Sequence, residues 1–309
     1  MAKITRPNKP LADVNVLPQK DGSNEIVACF MPDPDIVCGG EGESKAIIAL
    51  DASKSIKNMF GFGGAFGGNP NFVEMVARKL GSILCDITKN GKVSMMYWAL
   101  GPGGDQVKQI GEFDQAGCAT ADISGQSLNW GTGTKLLPPL KYIIDTFAKG
   151  SDFTMGVIIT DGIIEDEEDC MKYCMQIGKE LAAGKRKELK LVLIGVGSDV
   201  DQEQLESFDD MFEGTALEND VDIWSHGIAA HMKDEDDIIG VLFGELMSEE
   251  KEVASSGSIL DGAGNEIKSF SDGLPGKFRF ILPKGETVFT VHTPNGEVTQ
   301  DISEVLGTT

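Results

Sequence analysis

The sequence predicts an α/β fold, a doubly wound parallel sheet with a small accessory β-sandwich built from both chain ends. Three observations carry that expectation. Four short apolar, β-branched runs recur through the middle of the chain, and amphipathic segments of helical period lie between them. Both ends instead alternate apolar and polar residues and are broken by turn dipeptides.

In chain order, Asp13 to Met31 (DVNVLP, then NEIVACFMPD) reads as strands with no helix of their own. Lys45 to Asp51 (KAIIALD) is apolar on both faces, the habit of a strand covered on both sides, and so are Lys92 to Leu100, Thr154 to Asp161 and Leu189 to Gly197. The glycine-rich stretch Gly61 to Asn71 has neither period and reads as a loop; it lacks the spacing of a phosphate-binding glycine loop. Phe72, Val76, Leu80 and Leu84, widened by Val73, Ile83 and Ile87, make Pro70 to Thr88 an amphipathic helix. Leu136, Leu137, Leu140, Ile143, Ile144 and Phe147 predict another, ending near Gly150.

Glu165 to Leu181 is a further helix, with the acidic run Glu165 to Asp169 complementing its N-terminus. Asp234 to Met247 repeats that arrangement. Beyond Glu250 the pattern turns to antiparallel strands, with Asp261-Gly262 and the hairpin signal Asn295-Gly296 between them. A thin sheet of this size can hardly stand alone, so the two ends are expected to meet. The expected organisation is residues 1–43 as N-terminal strands of the accessory unit, 44–250 as the α/β domain and 251–309 as the C-terminal β unit.

The chain has 309 residues with 27 Lys+Arg against 49 Asp+Glu, a net charge of −22. A surface of that sign repels phosphate backbones and anionic headgroups, which argues against nucleic acid as a partner. At 41% hydrophobic residues the chain has enough apolar material for a core. No stretch approaches the ~18 apolar residues of a membrane span, and MAKITRPNKPLADVNV lacks a secretory apolar core, so a cytoplasmic protein without membrane insertion is expected. The six cysteines are thinly spread and read as buried reduced thiols. Cys170 and Cys174 have helical i,i+4 spacing without the second pair that zinc would want.

The residues that carry chemistry stand at strand ends. The first run ends in Asp51-Ala52-Ser53-Lys54-Ser55, the third in Thr160-Asp161-Gly162, and Gly131-Thr132-Gly133-Thr134 lies between them. In a doubly wound sheet the C-terminal ends of these two strands are neighbours at the switch point, where such folds place ligands. Two carboxylates and three hydroxyls without histidine or cysteine make a hard oxygen cage, suited to Mg²⁺, Mn²⁺ or Ca²⁺. Taken singly, Asp51, Ser53, Thr132 and Thr134 would equally serve as helix caps and Asp161 as a turn residue; their joint placement is what points to one site.

DxSxS, a threonine in GTGT and a TDG after an apolar strand resemble the metal-ion-dependent adhesion site of von Willebrand factor A domains, which are Rossmann-like. The resemblance spans about Lys45 to Leu246. It implies Asp51, Ser53 and Ser55 as the first motif, Thr134 as the second, with Thr132 its rival, and Asp161 as the third. It implies further a bound Mg²⁺ (or Mn²⁺ or Ca²⁺), with an open position for a carboxylate from a protein partner, and a scaffold or adaptor role rather than catalysis. The broad neighbourhood is that of cytoplasmic chaperone-like, metal-insertion, stress and tellurite-resistance systems. Lys54, Lys57, Trp130 and Thr132 are the candidate partner surface. The glycine-rich loop is longer than the family's usual connection. Two other readings are a Mg²⁺-dependent phosphoryl hydrolase and a metal-free structural protein. The first lacks a DxDx[TV] nucleophile pattern, and His226, His231 and His292 all lie outside the motif segments.

Overall fold

The computed structural model describes residues 2–4, 7–31, 42–62, 70–197, 200–218, 220–228 and 252–306. The chain divides into two compact units, Met1–Ile36 with Asp234–Thr309, and Val37–Lys233. The helix expected at Asp234 to Met247 lies outside the described residues, as does most of the glycine-rich loop.

The first unit begins with β1 (Ala2–Lys3), β2 (Leu11–Pro18) and β3 (Asn24–Phe30). β2 and β3 pair antiparallel with Val14 opposite Ala28 and Val16 opposite Ile26, all four fully buried. Period-2 alternation thus turns one face of the pair inward.

The second unit is built on a mixed sheet of β4 (Ser44–Asp51), β5 (Lys92–Leu100), β6 (Gln106–Asp114), β7 (Phe153–Thr160), β8 (Glu188–Gly195) and β9 (Trp224–Ile228). The spatial order is β6-β5-β4-β7-β8-β9, parallel throughout except for β6, which runs antiparallel to β5. The four apolar runs are β4, β5, β7 and β8, buried along nearly their whole length. β6 is an edge strand whose residues are largely exposed or half-buried, so it has no apolar run to announce it.

Helices cover both faces. α1 (Phe72–Leu84) begins two residues after the expected Pro70, because Asn71 is its N-cap and accepts from the Glu74 N–H at 2.9 Å. A single turn, Cys85–Ile87, continues it, and α2 (Gln115–Thr120) lies beside it. α3 (Leu137–Tyr142) runs on into a π-helical stretch, Ile143–Phe147, before Gly150 turns the chain with φ +77°. α4 (Glu167–Ala182) and α5 (Gln202–Asp209) follow. Ile47 and Ala49 of β4 and Met96 and Trp98 of β5 share one core with Leu140, Cys174, Ile177, Leu205 and Phe208 of α3, α4 and α5. Met95 points the other way, onto Gly81 of α1. Each such large apolar side chain contributes about 1.5–3 kcal/mol through its burial.

The acidic run before α4 does more than complement that helix. The Asp166 carboxylate accepts from the backbone N–H of Leu136 at 2.7 Å and of Leu137 at 3.0 Å, capping the start of α3, which has no side-chain cap of its own. Glu167 instead accepts from Gln204 and Ser207 of α5 at 2.8 Å each.

The C-terminal strands return to the first unit: β10 (Glu252–Ala254), β11 (Gly257–Asp261), β12 (Glu266–Phe270), β13 (Leu274–Pro275), β14 (Lys277–Leu282), β15 (Val288–Thr293) and β16 (Gly296–Asp301), then a turn of helix at Ser303–Leu306. β14 pairs antiparallel with β3, from Lys277 opposite Cys29 to Leu282 opposite Asn24, so the two chain ends form one sheet, β1-β2-β3-β14. A second sheet has the order β12-β11-β15-β16. Val14, Val16 and Ile26 share a core with Ile259, Phe278, Phe280, Phe289 and Val291. Among the described residues the inner faces of the two sheets meet in that one core.

Candidate metal centre at the strand ends

The three motif segments are brought together by backbone pairing. β4 and β7 are adjacent and parallel, Leu50 opposite Ile159, so Asp51 and Asp161 emerge at the same edge. Beyond Asp51 the chain stays extended through Ser53 before Ser55 turns into a short helical stretch, Ile56–Phe60. The Ala52 N–H donates to the Trp98 carbonyl at 2.9 Å, and the Lys54 N–H to the Gly131 carbonyl at 2.8 Å, while the Gly131 N–H returns to Ala52 at 3.0 Å. Ser53 and Gly131 thereby form a parallel bridge that lays Gly131 to Thr134 beside the first motif.

Glycine is required at 131. A Cβ there would lie 1.9 Å from the Ala99 carbonyl oxygen, and Ala99 itself sits in the left-handed region at φ +56°. A non-glycine residue in that conformation at a strand end is held by its surroundings, a pattern that clusters at binding sites.

Asp51 is fully buried and accepts from the Ser53 N–H on Oδ1 and from the Thr160 hydroxyl on Oδ2, both at 2.7 Å. Burial pushes its carboxyl up to about 7, the charge of Asp161 adding to the effect and the two hydrogen bonds opposing it. The hydroxyls of Ser53 and Ser55 meet at 2.8 Å, and Ser55 donates to Asp161 Oδ1 at 2.9 Å. Thr134 lies on the same side: a methyl group placed on Gly162 would stand 3.7 Å from both Ser55 Oγ and Thr134 Oγ1. The Glu165 N–H donates to the Thr134 carbonyl at 3.0 Å, which ties the second motif to the segment after the third.

Asp51, Ser53, Ser55, Thr134 and Asp161 therefore lie in one cluster. Thr132 does not join it: it is exposed, and its hydroxyl donates to the Pro102 carbonyl. One residue outside the sequence-based set belongs to the arrangement: Thr160 orients the buried Asp51 carboxylate. The dipeptide Thr160-Asp161 at a strand end is the signal the sequence offers for it, and a strand hydroxyl otherwise reads as packing. The Glu165 carboxylate lies 2.7 Å from where a Gly133 side chain would begin, next to the second motif.

Beside the cluster stands a cationic and aromatic rim. Lys54 is exposed. The Lys57 ammonium lies 5.7 Å from the Trp130 ring centroid and 5.5 Å from that of Phe62. Trp130 meets Phe60 at 5.1 Å and Phe62 at 5.7 Å, both edge to face. The histidines of the described residues are elsewhere: His226 Nδ1 pairs with Asp209 Oδ2 at 2.7 Å, and His292 sits in β15 opposite Ser258 and Glu297; His231 lies outside the described residues.

The donor set is oxygen only, which suits a hard divalent cation completed by water or an outside oxygen ligand. Among the described residues no group of three or more His, Cys, Asp or Glu side chains is placed to hold a metal, so an ion here would depend on the hydroxyls. Cys170 and Cys174 are both buried on α4 and form no such group either.

No family model and no curated protein matches this chain. Solved structures do match it; one is a point mutant of the PilB minor pilin from Streptococcus sanguinis, 10% identical over 78% of this chain and 79% of that chain, with a TM-score of 0.42.

Proposed function

We propose that the unit around the mixed sheet is a doubly wound domain of the von Willebrand factor A type, and that its strand ends bind one divalent cation, Mg²⁺ or else Mn²⁺ or Ca²⁺. On this reading Ser53, Ser55 and Thr134 supply hydroxyl ligands, and Asp51 and Asp161 act directly or through water. The protein is then a metal-dependent interaction module, a scaffold or adaptor rather than an enzyme, in a cytoplasmic setting.

One observation carries the reading. Hydroxyls and carboxylates from three separate segments, Ser53 and Ser55, Thr134, and Asp161, converge at the C-terminal edge of two adjacent parallel strands. Separate helix caps would point each side chain back at its own helix, whereas Ser55 reaches 106 positions along the chain to Asp161. Two carboxylates leave a divalent ion short of anionic ligands, so a carboxylate from a partner protein is the favoured completing ligand.

The test is paired affinity capture from an extract of the source cell, with Mg²⁺ and with EDTA, repeated with Asp161→Ala. Partners that need both the ion and Asp161 support the proposal. Capture indifferent to both overturns it.

A further inference from the structure

Cys85 and Cys118 are 33 positions apart, yet their sulfurs face each other at 4.0 Å, and both side chains are buried. The approach is built into the helix packing. Gly81 stands one turn before Cys85, and a Cβ on it would lie 2.9 Å from Cys118 Sγ and 2.6 Å from Met95 Cε. The missing side chain is what lets α2 close on α1. α2 is held from both ends: Asp114 Oδ1 accepts from the Gly117 N–H at 2.7 Å, and the Arg78 guanidinium donates twice to the Ala121 carbonyl, at 3.0 and 2.8 Å. The Cys85 thiol also points at the Phe113 carbonyl at 3.7 Å, toward the start of α2.

We propose that Cys85 and Cys118 are a redox-sensitive dithiol, closed to an intramolecular disulfide by a small peroxide and reopened by a thiol reductant. The two sulfurs are already in contact, and a bond needs them to approach to about 2.05 Å. In the contact one thiol donates to the other, which holds the Cys118 thiol below its ordinary range and the Cys85 thiol above it. The thiolate of one cysteine displaces hydroxide from hydrogen peroxide, breaking the O–O bond and leaving a sulfenic acid, and the proton that thiol gave up joins the hydroxide as water. The other cysteine then attacks that sulfur as the S–O bond breaks. Its proton leaves with the oxygen as the second water, so two thiols and one peroxide give one disulfide and two waters.

The bridge would tie the end of α1 to α2. The chain leaving α2 is the segment that carries Trp130 and Thr134, and it is already anchored to the start of α1 by the Asn71 amide donating to the Ile123 carbonyl at 2.8 Å. Oxidation adds a covalent anchor to these hydrogen-bonded ones.

The test treats the reduced full-length protein with stoichiometric hydrogen peroxide, then maps peptides without reduction. The expected result is a mass loss of about 2 Da, recovered by dithiothreitol, with a linked Cys85–Cys118 peptide pair. The oxidised protein should melt about 5 °C or more above the reduced one, because the bridge restricts the unfolded chain. Cys85→Ser and Cys118→Ser should each abolish the mass loss, and Cys174→Ala should keep it. Should a serine variant fail to fold, the peptide map of the unaltered protein decides. Mass gains in steps of about 16 Da without the linked pair, or a linkage through other cysteines, overturn the proposal.

Discussion

The hydroxyl of Thr160 donates to Oδ2 of Asp51 at 2.7 Å across two neighbouring parallel strands, with both residues fully buried. The bond fixes the orientation of the Asp51 carboxylate, which has no access to bulk water, leaving Oδ1 for the Ser53 N–H. Second-layer bonds of this kind set ligand orientation and are costly to remove at metal sites.

On the proposed function, Mg²⁺ or Mn²⁺ should bind one site and raise Tm by mass action, since the site exists only in the folded chain. Asp51→Ala should abolish the shift, and Thr160→Val should weaken metal affinity about tenfold or more. Thr160→Val should also cost about 1–3 kcal/mol of stability in the metal-free protein, by leaving a buried carboxylate oxygen without its donor. Asp261→Ala, at the last residue of β11 in the other unit, should leave the metal shift intact. Calorimetric titration and melting curves check all three, and equal losses at Asp51 and Asp261 would remove the site assignment.

Thr134 and Thr132 are two residues apart, but the Thr134 hydroxyl lies beside Gly162, as the Ser55 hydroxyl does, while Thr132 is turned to Pro102. Thr134→Ala should therefore abolish most of the Mg²⁺-dependent melting shift, and Thr132→Ala should change it little. The reverse ranking in the same assay would mean that the second motif is read out of register.

Much of this arrangement is legible in the sequence, for physical reasons. Strands buried on both faces must be apolar throughout, so β4, β5, β7 and β8 stand out as runs, and the span Lys92–Leu100 is the same in sequence and structure. β6 escapes because one face of an edge strand meets solvent, and Gln106, Lys108, Gln109 and Glu112 are what such a face holds. Asp51, Ser53, Ser55, Thr134 and Asp161 are visible because their donor types and spacing are unusual together at strand ends. Thr160 and Asp166 are not, since each acts on a residue remote in sequence: Asp166 lies in an acidic run whose nearest helix is its own, yet it caps the helix before it.

Gly131 is expected to be intolerant of any side chain. Its Cβ would fall 1.9 Å from the Ala99 carbonyl oxygen, and backbone, unlike a flexible side chain, cannot swing away. Gly131→Ala should destabilise the fold by about 2 kcal/mol or more and loosen the pairing of Ser53 with residue 131, weakening metal binding at the same time. Gly150→Ala serves as the control: it is also a strained position, at φ +77°, but it has open space around it, so it should cost about 1 kcal/mol and leave the metal response unchanged. Chemical denaturation with and without Mg²⁺ separates the two, and a Gly131→Ala protein as stable and metal-responsive as the parent would contradict the packing described for this loop.

The partner itself should present an acidic side chain. On the proposed function an ion held by two carboxylates would be electrophilic, and the chain places Lys54 in solvent and Lys57 over Trp130, so the local field would be more positive than a net charge of −22 suggests. A carboxylate entering this field gains both a bond to the ion and attraction from the lysines, whereas an amine is repelled there and drawn to the acidic helices elsewhere. Replacing the acidic residues of a captured partner one at a time should reveal one whose loss removes the Mg²⁺-dependent part of binding at both low and moderate salt. Lys57→Ala should slow association and flatten its salt dependence without removing the metal requirement, because a rim charge steers encounter more than it holds the complex. If no single acidic residue matters and binding fades smoothly with ionic strength, the attraction is diffuse charge on the acidic surface, screened over about 10 Å at 0.1 M salt, and the metal-centred mechanism fails.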